Sequence, residues 1–451
     1  MSTAPSVLEK SPKELRALGD ERHLSLNDAE WAAVQAHFKG LKREPTLAEV
    51  ETIAQTWSEH CKHKTFTSPI RYTEGRKTRV IKNLFQETIV AATAAVKKPW
   101  CLSVFEDNAG VVAFGKKWAL AFKAETHNHP SALEPYGGAE TGVGGVVRDV
   151  LGCGLGAKPV LNTDVFCFGR PDYAGALPEG SHHPSRTLRG VVAGVRDYGN
   201  RMGIPTAAGG VWFDDDYRLN PLVFVGTVGL LPQWAVRKKV SPGDLIVAVG
   251  GRTGRDGLHG ATFSSASLGA DAPSSAVQIG HAINEKRVLD ALLRARERKL
   301  YSSVTDCGAG GFSSAVGELG ADCGARVRLE DAKLKASDLD GWEIWLSESQ
   351  ERMVLAVPPK SLKALEAVFA AEGCETSVIG EFTRDGRLNV THHDVAVVDL
   401  DMKFLHKGLP RVERTAVWNG PATSKPAGGA EKKLAAALKD AIGHINVCSR
   451  E

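Results

Sequence analysis

One stretch of the chain, residues 121–159, carries cationic, acidic and imidazole side chains within about forty positions. If its first part is extended, alternate side chains point to the same face. Four chemically useful side chains then share one side: Lys123, Glu125, His127 and His129. This pattern predicts phosphate-binding, metal-binding and proton-transfer groups on one surface. The alternative is a glycine-rich surface loop beside a strand.

The glycine-rich continuation TGVGGVVRDV predicts a turn that opens a helix. Exposed backbone N–H groups and the helix dipole favour an anion at such a helix start. Arg148 and Asp149 are then expected about two turns further along the helix.

A second candidate site lies in VTDCGAGGFSSAVGELG, where Asp306 ends an apolar strand and a glycine turn leads into a helix. A carboxylate in this position is suited to a magnesium ion whose phosphate partner lies on the turn. The alternative is an acidic helix cap.

Two further clusters each allow two interpretations. Asp256 and His259, in GRTGRDGLHGATF, are either an acid/base pair or part of a loop that its glycines shape at a ligand or domain interface. Glu348, Ser349 and Gln350 interrupt an apolar strand, and burying them costs stability unless they find partners. Those partners are either a ligand or a satisfied network in the core.

Several familiar sites are absent from the sequence. It has neither GxxxxGK[ST] nor a GxGxxG after a strand, so bound ATP would need a different cradle. A zinc site at His60, Cys61 and His63 is disfavoured because these residues are crowded without a second ligand pair. Magnesium suits the carboxylates better. Cys153 lacks the GxCxG context of a glutaminase nucleophile.

Two N-terminal helices are well signalled. Asn27 with Glu30, and Thr46 with Glu49, predict capping boxes at their starts. The second helix carries an apolar stripe that must be buried. The following WSEHCKHK is therefore expected to direct its imidazoles inward or across a cleft.

The rest of the chain predicts an α/β (α+β) protein of several units. A helical domain is expected over residues 1–70, and a mixed-sheet domain with few long helices over 71–235. A second α/β domain with two amphipathic helices is expected over 236–400. Residues 401–451 are predicted to be a Pro/Gly/Ser/Lys linker after Arg411, then a last helix at about 434–442.

The composition is that of an ordinary soluble protein: 451 residues, 43% hydrophobic, with a net charge of +3. No feature calls for nucleic acid or a membrane. The eight cysteines are spread singly, and the N-terminus lacks an apolar signal core. We therefore expect reduced thiols and a cytoplasmic location.

The sequence resembles phosphoribosylformylglycinamidine synthases, the ATP-dependent amidotransferases of purine biosynthesis. The resemblance rests on WSEHCKHK, FEDNAG, ETHNHPSALEPYGGAETGVGGVVRD, DGLHGATFSS, TDCGAGGF and SESQERM, in this order over about residues 25–400. It implies a fold related to aminoimidazole ribonucleotide synthase: a helical linker domain, a barrel-forming sheet domain and an α/β sandwich. The implied reaction phosphorylates the amide oxygen of formylglycinamide ribonucleotide with ATP, after which ammonia displaces phosphate.

The resemblance also implies roles for particular residues. His60 and His127 would be catalytic, with His127 as proton acceptor, while Lys123 and His63 would contact ATP. Magnesium would be bound by three carboxylates: Glu125, Asp149 and Asp306. The ribonucleotide would be bound by a larger set: Thr126, His127, Asn128, His129, Arg148, Gln278, Glu348, Ser349 and Gln350.

Members of this family carry two such halves in one chain, with the ATP site between them, whereas this sequence matches one half. Its last residues, GHINVCSRE, resemble the start of the second half, so residues 401–451 are expected to be a linker and the start of a missing second half. The other half is expected to come from a second-half synthase chain or from a second copy of this chain, and the ammonia from a glutaminase subunit. A non-catalytic nucleotide-binding subunit that completes or regulates another enzyme is the alternative.

Overall fold

A computed structural model describes residues 6–260, 277, 278, 280–420 and 434–447. Fifteen α-helices lie in these ranges: α1 (Pro12–Glu21), α2 (Asp28–Leu41), α3 (Leu47–Thr56), α4 (Glu59–Lys62), α5 (Lys64–Thr67), α6 (Ala91–Val96), α7 (Asn128–Leu133), α8 (Pro135–Leu151), α9 (Pro184–Met202), α10 (Ala282–Glu297), α11 (Gly311–Leu319), α12 (Gly341–Leu346), α13 (Leu362–Ala371), α14 (Met402–Lys407) and α15 (Leu434–Ile442).

The strands of the described ranges are β1 (Ile70–Glu74), β2 (Lys77–Ile81), β3 (Cys101–Ser103), β4 (Gly110–Phe114), β5 (Trp118–Thr126), β6 (Lys158–Phe168), β7 (Thr206–Phe213), β8 (Leu222–Pro232), β9 (Leu245–Gly250), β10 (Ser303–Asp306), β11 (Ala325–Arg328), β12 (Arg352–Val357), β13 (Glu375–Phe382), β14 (Arg387–His392), β15 (Val395–Asp401) and β16 (Arg414–Trp418).

These strands form three sheets. The six-stranded sheet has the order β3-β4-β5-β8-β6-β7, and the seven-stranded sheet has the order β10-β12-β9-β13-β11-β14-β15. Both are mostly antiparallel, with one parallel pair each, β6 with β7 and β11 with β14. A small third sheet, β16-β1-β2, joins the beginning and end of the described α/β region. The mixed α/β class predicted from the sequence is confirmed.

Helices α2 and α3 begin as predicted, whereas α1, which begins with a capping box at Ser11, was not predicted from the sequence. The Asn27 side chain accepts a hydrogen bond from the Glu30 backbone N–H, and the Glu30 carboxylate accepts one from Asn27 N–H. Thr46 and Glu49 make the same reciprocal pair at α3. Glu49 also accepts the Asp399 N–H at 2.9 Å, which ties α3 to β15.

Two hydrophobic cores connect the domains. The first core joins buried side chains of α2 and α3, such as Trp31 and Ile53, to the seven-stranded sheet and to α11 and α12. The second joins α8 and α9 to the other face of the seven-stranded sheet and to α10. Helix α8 therefore lies where the two α/β units meet.

The first sheet domain departs from the sequence expectation of few long helices. Helices α8 and α9 contain 17 and 19 residues and pack against each other. The expected glycine turn before a helix was also wrong, because Gly142, Gly144 and Gly145 all lie inside α8. The sequence suggested a turn because glycine disfavours helix interiors, but here close packing of the helix outweighs that preference.

Gly144 shows the packing reason most clearly, since a Cβ atom there would lie 2.7 Å from the Tyr198 hydroxyl and 2.9 Å from an Arg148 nitrogen. We therefore expect Gly144→Ala to lower the free energy of unfolding by about 1–3 kcal/mol through overpacking. The matched control is Gly40→Ala in α2, where a Cβ meets no atom within 4 Å. That change is expected to stabilise the chain by up to about 1 kcal/mol. Chemical denaturation of both variants measures the difference, and equal effects would contradict the packing argument.

The C-terminal part of the chain also differs in one respect from the expectation. Strand β16 follows Arg411 and pairs in parallel with β1, where a linker was predicted. The last helix is confirmed as Leu434–Ile442, while the linker residues 421–433 lie outside the described residues. The described cysteines are all free thiols. Among the described residues, no helix combines the length and apolar character needed to cross a bilayer.

Candidate active site

A cavity of about 260 Å³ lies where the N-terminal helical region, the six-stranded sheet and the second α/β unit meet. Its walls bring together side chains that are far apart in the sequence. Those predicted from the sequence are His60, Lys123, Glu125, His127, Arg148, Asp149, Gln278, Asp306, Glu348 and Gln350. Convergence of ten predicted residues in one small cavity makes it the candidate active site.

Strand β5 supplies the cationic and acidic pair at the centre. Lys123 and Glu125 alternate along the strand and point into the cavity, with Lys123 Nζ 3.0 Å from a Glu125 oxygen and 3.1 Å from an Asp149 oxygen. Burial opposes the charge of Lys123, but the two carboxylates outweigh it and raise its pKa. Burial likewise opposes the charge of Glu125, but chiefly Lys123 lowers the pKa of this carboxyl. The Lys123 side chain is therefore held in its charged form and contacts both Glu125 and Asp149.

Two further carboxyl groups, those of Asp149 and Asp306, have raised pKa values. Asp149, near the end of α8, has its pKa raised well above the usual value by burial and by the charges of Glu125 and Asp306. Asp306, the last residue of β10, has its pKa raised mainly by burial, against the opposing effect of Arg148. Its Oδ1 accepts a hydrogen bond of 2.9 Å from the Asn108 amide. The strand-end position predicted for Asp306 is confirmed.

The donor chemistry of these carboxylates fits a magnesium ion, which prefers oxygen ligands and often shares them with nucleotide phosphates. The raised pKa values of Asp149 and Asp306 show that additional positive charge would be favourable between them. In the part of the chain that the structure describes, no three acidic, histidine or cysteine side chains already surround a common metal position. The described side chains alone would therefore not complete the ligand set of a magnesium ion, and phosphate oxygens would be needed to complete it.

Two histidines face this acidic centre. His127 follows β5, and its backbone N–H donates to the Val223 carbonyl at 2.8 Å. Its Nδ1 is buried without a hydrogen-bond partner among the described residues. Burial lowers the pKa of His127 against the opposing charge of Glu125, and burial lowers the pKa of His60 in the same way. Both imidazoles are therefore neutral near pH 7 and able to accept a proton.

The opposite wall comes from the segment before β12. Glu348 accepts the Gly310 N–H at 3.0 Å and the Gln278 amide at 3.0 Å. Gln350 donates to the Glu348 carbonyl at 3.0 Å and accepts a hydrogen bond from Arg148. Of the alternatives left open by the sequence, the satisfied network is present. Glu348 and Gln350 also face the cavity, and their contact with a ligand stays a prediction.

Five residues assigned to the site by resemblance do not line the cavity. Ser349 is turned away and bonds Asp256 Oδ1 at 2.7 Å, and Asn128 accepts the Val223 N–H at 2.9 Å, which fixes the start of β8. His129 lies in α7, so β-strand alternation stops before it. The other two, Thr126 and His63, are exposed beside the cavity. Their ligand contacts stay predictions.

Asp256 and His259 do not form the acid/base pair that the sequence allowed. Asp256 pairs with Lys335 at 2.8 Å, whereas His259 Nε2 lies 3.1 Å from a Glu51 oxygen in α3. These contacts agree with the other interpretation, in which the glycine-rich loop joins neighbouring elements.

Sequence reasoning did not assign four other polar lining residues, Asn108, Thr141, Ser314 and Glu318. Asn108 belongs to the string FEDNAG, whose polar run beside apolar strands was a usable signal. Glu318 lies on α11, and burial is the main reason that its pKa is raised to about 7. No periodic pattern in the sequence marks Glu318 as a site residue, because only the folded structure places α11 beside the cavity.

Three family models match the chain in sequence order. They are the formylglycinamide ribonucleotide amidotransferase linker domain at residues 15–64, the N-terminal domain of AIR synthase related proteins at 106–231, and the corresponding C-terminal domain at 241–393. The matches cover the regions that build all walls of the cavity.

Comparisons with whole proteins, over nearly all of this chain, agree with the family models. The phosphoribosylformylglycinamidine synthase subunit PurL of Thermoplasma acidophilum is 38% identical over 450 residues, which are 98% of this chain and 56% of the relative. The chain thus spans about half the length of the curated relatives it matches.

Solved structures of T. maritima PurL are also similar. The complex with FGAR has a TM-score of 0.69 and 31% identity, covering 88% of this chain and 58% of that one. The complex with ATP has a TM-score of 0.64 and 31% identity, covering 83% and 55%. PurLQS from T. maritima matches with a TM-score of 0.64 and 30% identity, covering 83% and 54%. The linker and AIR synthase-like domains, in their order, and the PurL relatives together show that this chain belongs to the phosphoribosylformylglycinamidine synthase family.

Proposed function

We propose that this chain is a catalytic part of an ATP-dependent carbon–nitrogen ligase of the cytoplasm. It would convert formylglycinamide ribonucleotide to formylglycinamidine ribonucleotide, with ammonia from a glutaminase partner. The observation that carries the proposal is the single cavity in which Lys123, the carboxylates and His127 meet. Its support is the similarity to PurL proteins complexed with FGAR and with ATP.

The charges of the cavity suit a nucleoside triphosphate. Lys123 would contact the phosphates, since its ammonium is held charged by its two carboxylate partners. Glu125, Asp149 and Asp306 would hold magnesium, which neutralises phosphate charge when bound. The opposite wall, with Arg148, would bind the ribonucleotide.

The proposed reaction has two steps. The amide oxygen of the substrate attacks the γ-phosphorus of ATP, and ADP leaves. Ammonia then attacks the amide carbon, the phosphorylated oxygen leaves as phosphate, and a proton is lost from the new nitrogen. His127 would accept that proton, because its lowered pKa keeps the imidazole neutral near pH 7.

The other half of the site would come from a second-half synthase chain or from a second copy of this chain. The outer face of the six-stranded sheet, opposite α8, supports this need for a partner. On it, Phe114, Trp118 and Phe122 are 57%, 44% and 46% exposed, and Phe114 lies directly beside Trp118 in the strand register. Large apolar side chains exposed together favour a protein partner.

The proposal is tested by mixing the purified chain with ATP, magnesium, ammonia and formylglycinamide ribonucleotide, with and without a candidate second-half protein. We expect ADP and the amidine product when the second half is present, or with the chain alone if it pairs with itself. Sedimentation of the same samples distinguishes these two assemblies.

Nucleotide binding without any product, in every combination, would contradict the catalytic proposal. It would instead favour the alternative, a non-catalytic nucleotide-binding subunit that completes or regulates another enzyme. Replacing ammonia by glutamine, with and without a glutaminase subunit, tests the ammonia source separately. The PurLQS assembly of T. maritima makes an associated subunit a reasonable candidate.

A further inference from the structure

A buried polar network lies directly behind the Arg148 wall of the cavity. Arg148 donates from one terminal nitrogen to Glu285 at 2.7 Å and from the other to Gln350. The Tyr198 hydroxyl lies 2.5 Å from the same Glu285 oxygen and 2.9 Å from Glu351. Each of these five side chains is at most 5% exposed. We call this set the Arg148 network.

Hydrogen bonds within the protein already occupy the Arg148 guanidinium. Both terminal nitrogens of Arg148 are engaged within the protein, and its Nε has no partner among the described residues. Tyr198 on α9 and Glu285 on α10 therefore fix the orientation of Arg148 from the side away from the cavity. Gln350 extends the same chain of bonds to Glu348 on the cavity wall.

The surrounding backbone leaves this network little room to rearrange. A Cβ at Gly144 would collide with both Tyr198 and Arg148, as described for α8. Gly250 has φ +104°, and a Cβ there would lie 2.1 Å from the Glu351 carbonyl oxygen. Glu351 itself has φ +58°, in the left-handed region that side-chain-bearing residues rarely adopt. A tightly enclosed network of this kind holds its side chains in a single arrangement.

We propose that Tyr198 and Glu285 are positioning residues, which hold Arg148 and Gln350 in the orientation that binds the ribonucleotide substrate. This inference rests on the proposed function, because it concerns the same cavity. It adds two residues that touch neither the substrate nor the nucleotide. Their expected signature is a selective loss of ribonucleotide affinity, since Tyr198 and Glu285 act on Arg148, whereas Lys123 is held by Glu125 and Asp149.

The test compares Tyr198→Phe with Tyr301→Phe. Both tyrosines are buried, but Tyr301 donates to the Leu155 carbonyl at 2.7 Å, outside the network. Calorimetric titration of the full chain, in its assembly, measures the Kd for formylglycinamide ribonucleotide and for ATP with magnesium. We expect Tyr198→Phe to raise the ribonucleotide Kd about tenfold, as for loss of a hydrogen bond to a charged group. The ATP Kd should change less than twofold, and Tyr301→Phe should change neither.

Glu285 provides a second measurement. Glu285→Gln keeps an oxygen that accepts from Arg148 and is expected to retain the ribonucleotide Kd within about threefold, whereas Glu285→Met, of similar size but without an acceptor, should raise it about tenfold or more. If Glu285→Met does not fold, Tyr198→Phe decides. Unchanged ribonucleotide affinity in Tyr198→Phe, or equal losses for both ligands, would overturn the inference. Failure of the unsubstituted chain to bind the ribonucleotide would instead contradict the proposed function.

Discussion

Replacing His127 by asparagine is expected to lower kcat by about 10²–10⁴-fold, the usual contribution of a positioned acid or base. The reason is geometric as well as electrostatic: His127 faces the acidic centre, its Nδ1 is buried without a partner among the described residues, and its pKa is lowered mainly by burial. Asparagine retains a polar group of moderate size but cannot accept the proton. ADP release and product formation in the reconstituted assembly measure the effect.

The control is His393→Asn, since His393 is exposed and has φ +50°, a conformation that asparagine tolerates. It should leave kcat unchanged. The KM for ATP should also change little in His127→Asn, because the proton transfer follows nucleotide binding. A His127→Asn enzyme with unchanged kcat would remove the imidazole from the mechanism.

Asp306→Asn is expected to act in opposite directions on stability and on activity. Burial raises the pKa of both Asp149 and Asp306, and neighbouring carboxylates add to the effect of burial, so the charged form of Asp306 is unfavourable in the absence of added cations. Removing one charge should therefore raise the thermal midpoint of the metal-free chain. Asparagine still accepts the hydrogen bond from Asn108, so the strand end is preserved. Magnesium-dependent ATP binding should fall at least tenfold, because a neutral amide is a weaker ligand than a carboxylate.

The matched control is Asp394→Asn, at an exposed residue with φ +63°. It removes the same charge far from the cavity and should change neither property appreciably. Thermal melts with and without magnesium and ATP give both measurements on the same samples. A destabilised Asp306→Asn chain with normal magnesium-dependent binding would show that the carboxylate is a structural cap, the other interpretation that the sequence allowed.

Much of the site was predictable because local patterns specify it. The capping boxes at Asn27 and Thr46 fixed the starts of α2 and α3, and an acid at the end of an apolar run placed Asp306 at the end of β10. Alternation along β5 correctly grouped Lys123 with Glu125. Each of these inferences uses residues within one element, where backbone geometry relates spacing to direction.

The rest depends on contacts between distant elements. The glycines of α8 indicate a turn by their intrinsic preference, and only their close neighbours in the fold, such as Tyr198 beside Gly144 and His127 beside Gly142, explain why they lie in a helix. Glu285 follows the ordinary pattern of an amphipathic helix, so its ion pair with Arg148 leaves no local signal. Strand β16 was read as linker because its partner, β1, lies more than three hundred residues earlier.

The shared core between the N-terminal helices and the seven-stranded sheet has a practical consequence for truncated versions of the protein. Removing the first 64 residues would uncover apolar surface on α11 and α12 and would delete His60 from the cavity. Such a shortened protein would be prone to aggregate and would lack one wall of its active centre. Fragments intended for crystallisation or for binding assays should therefore begin before α1.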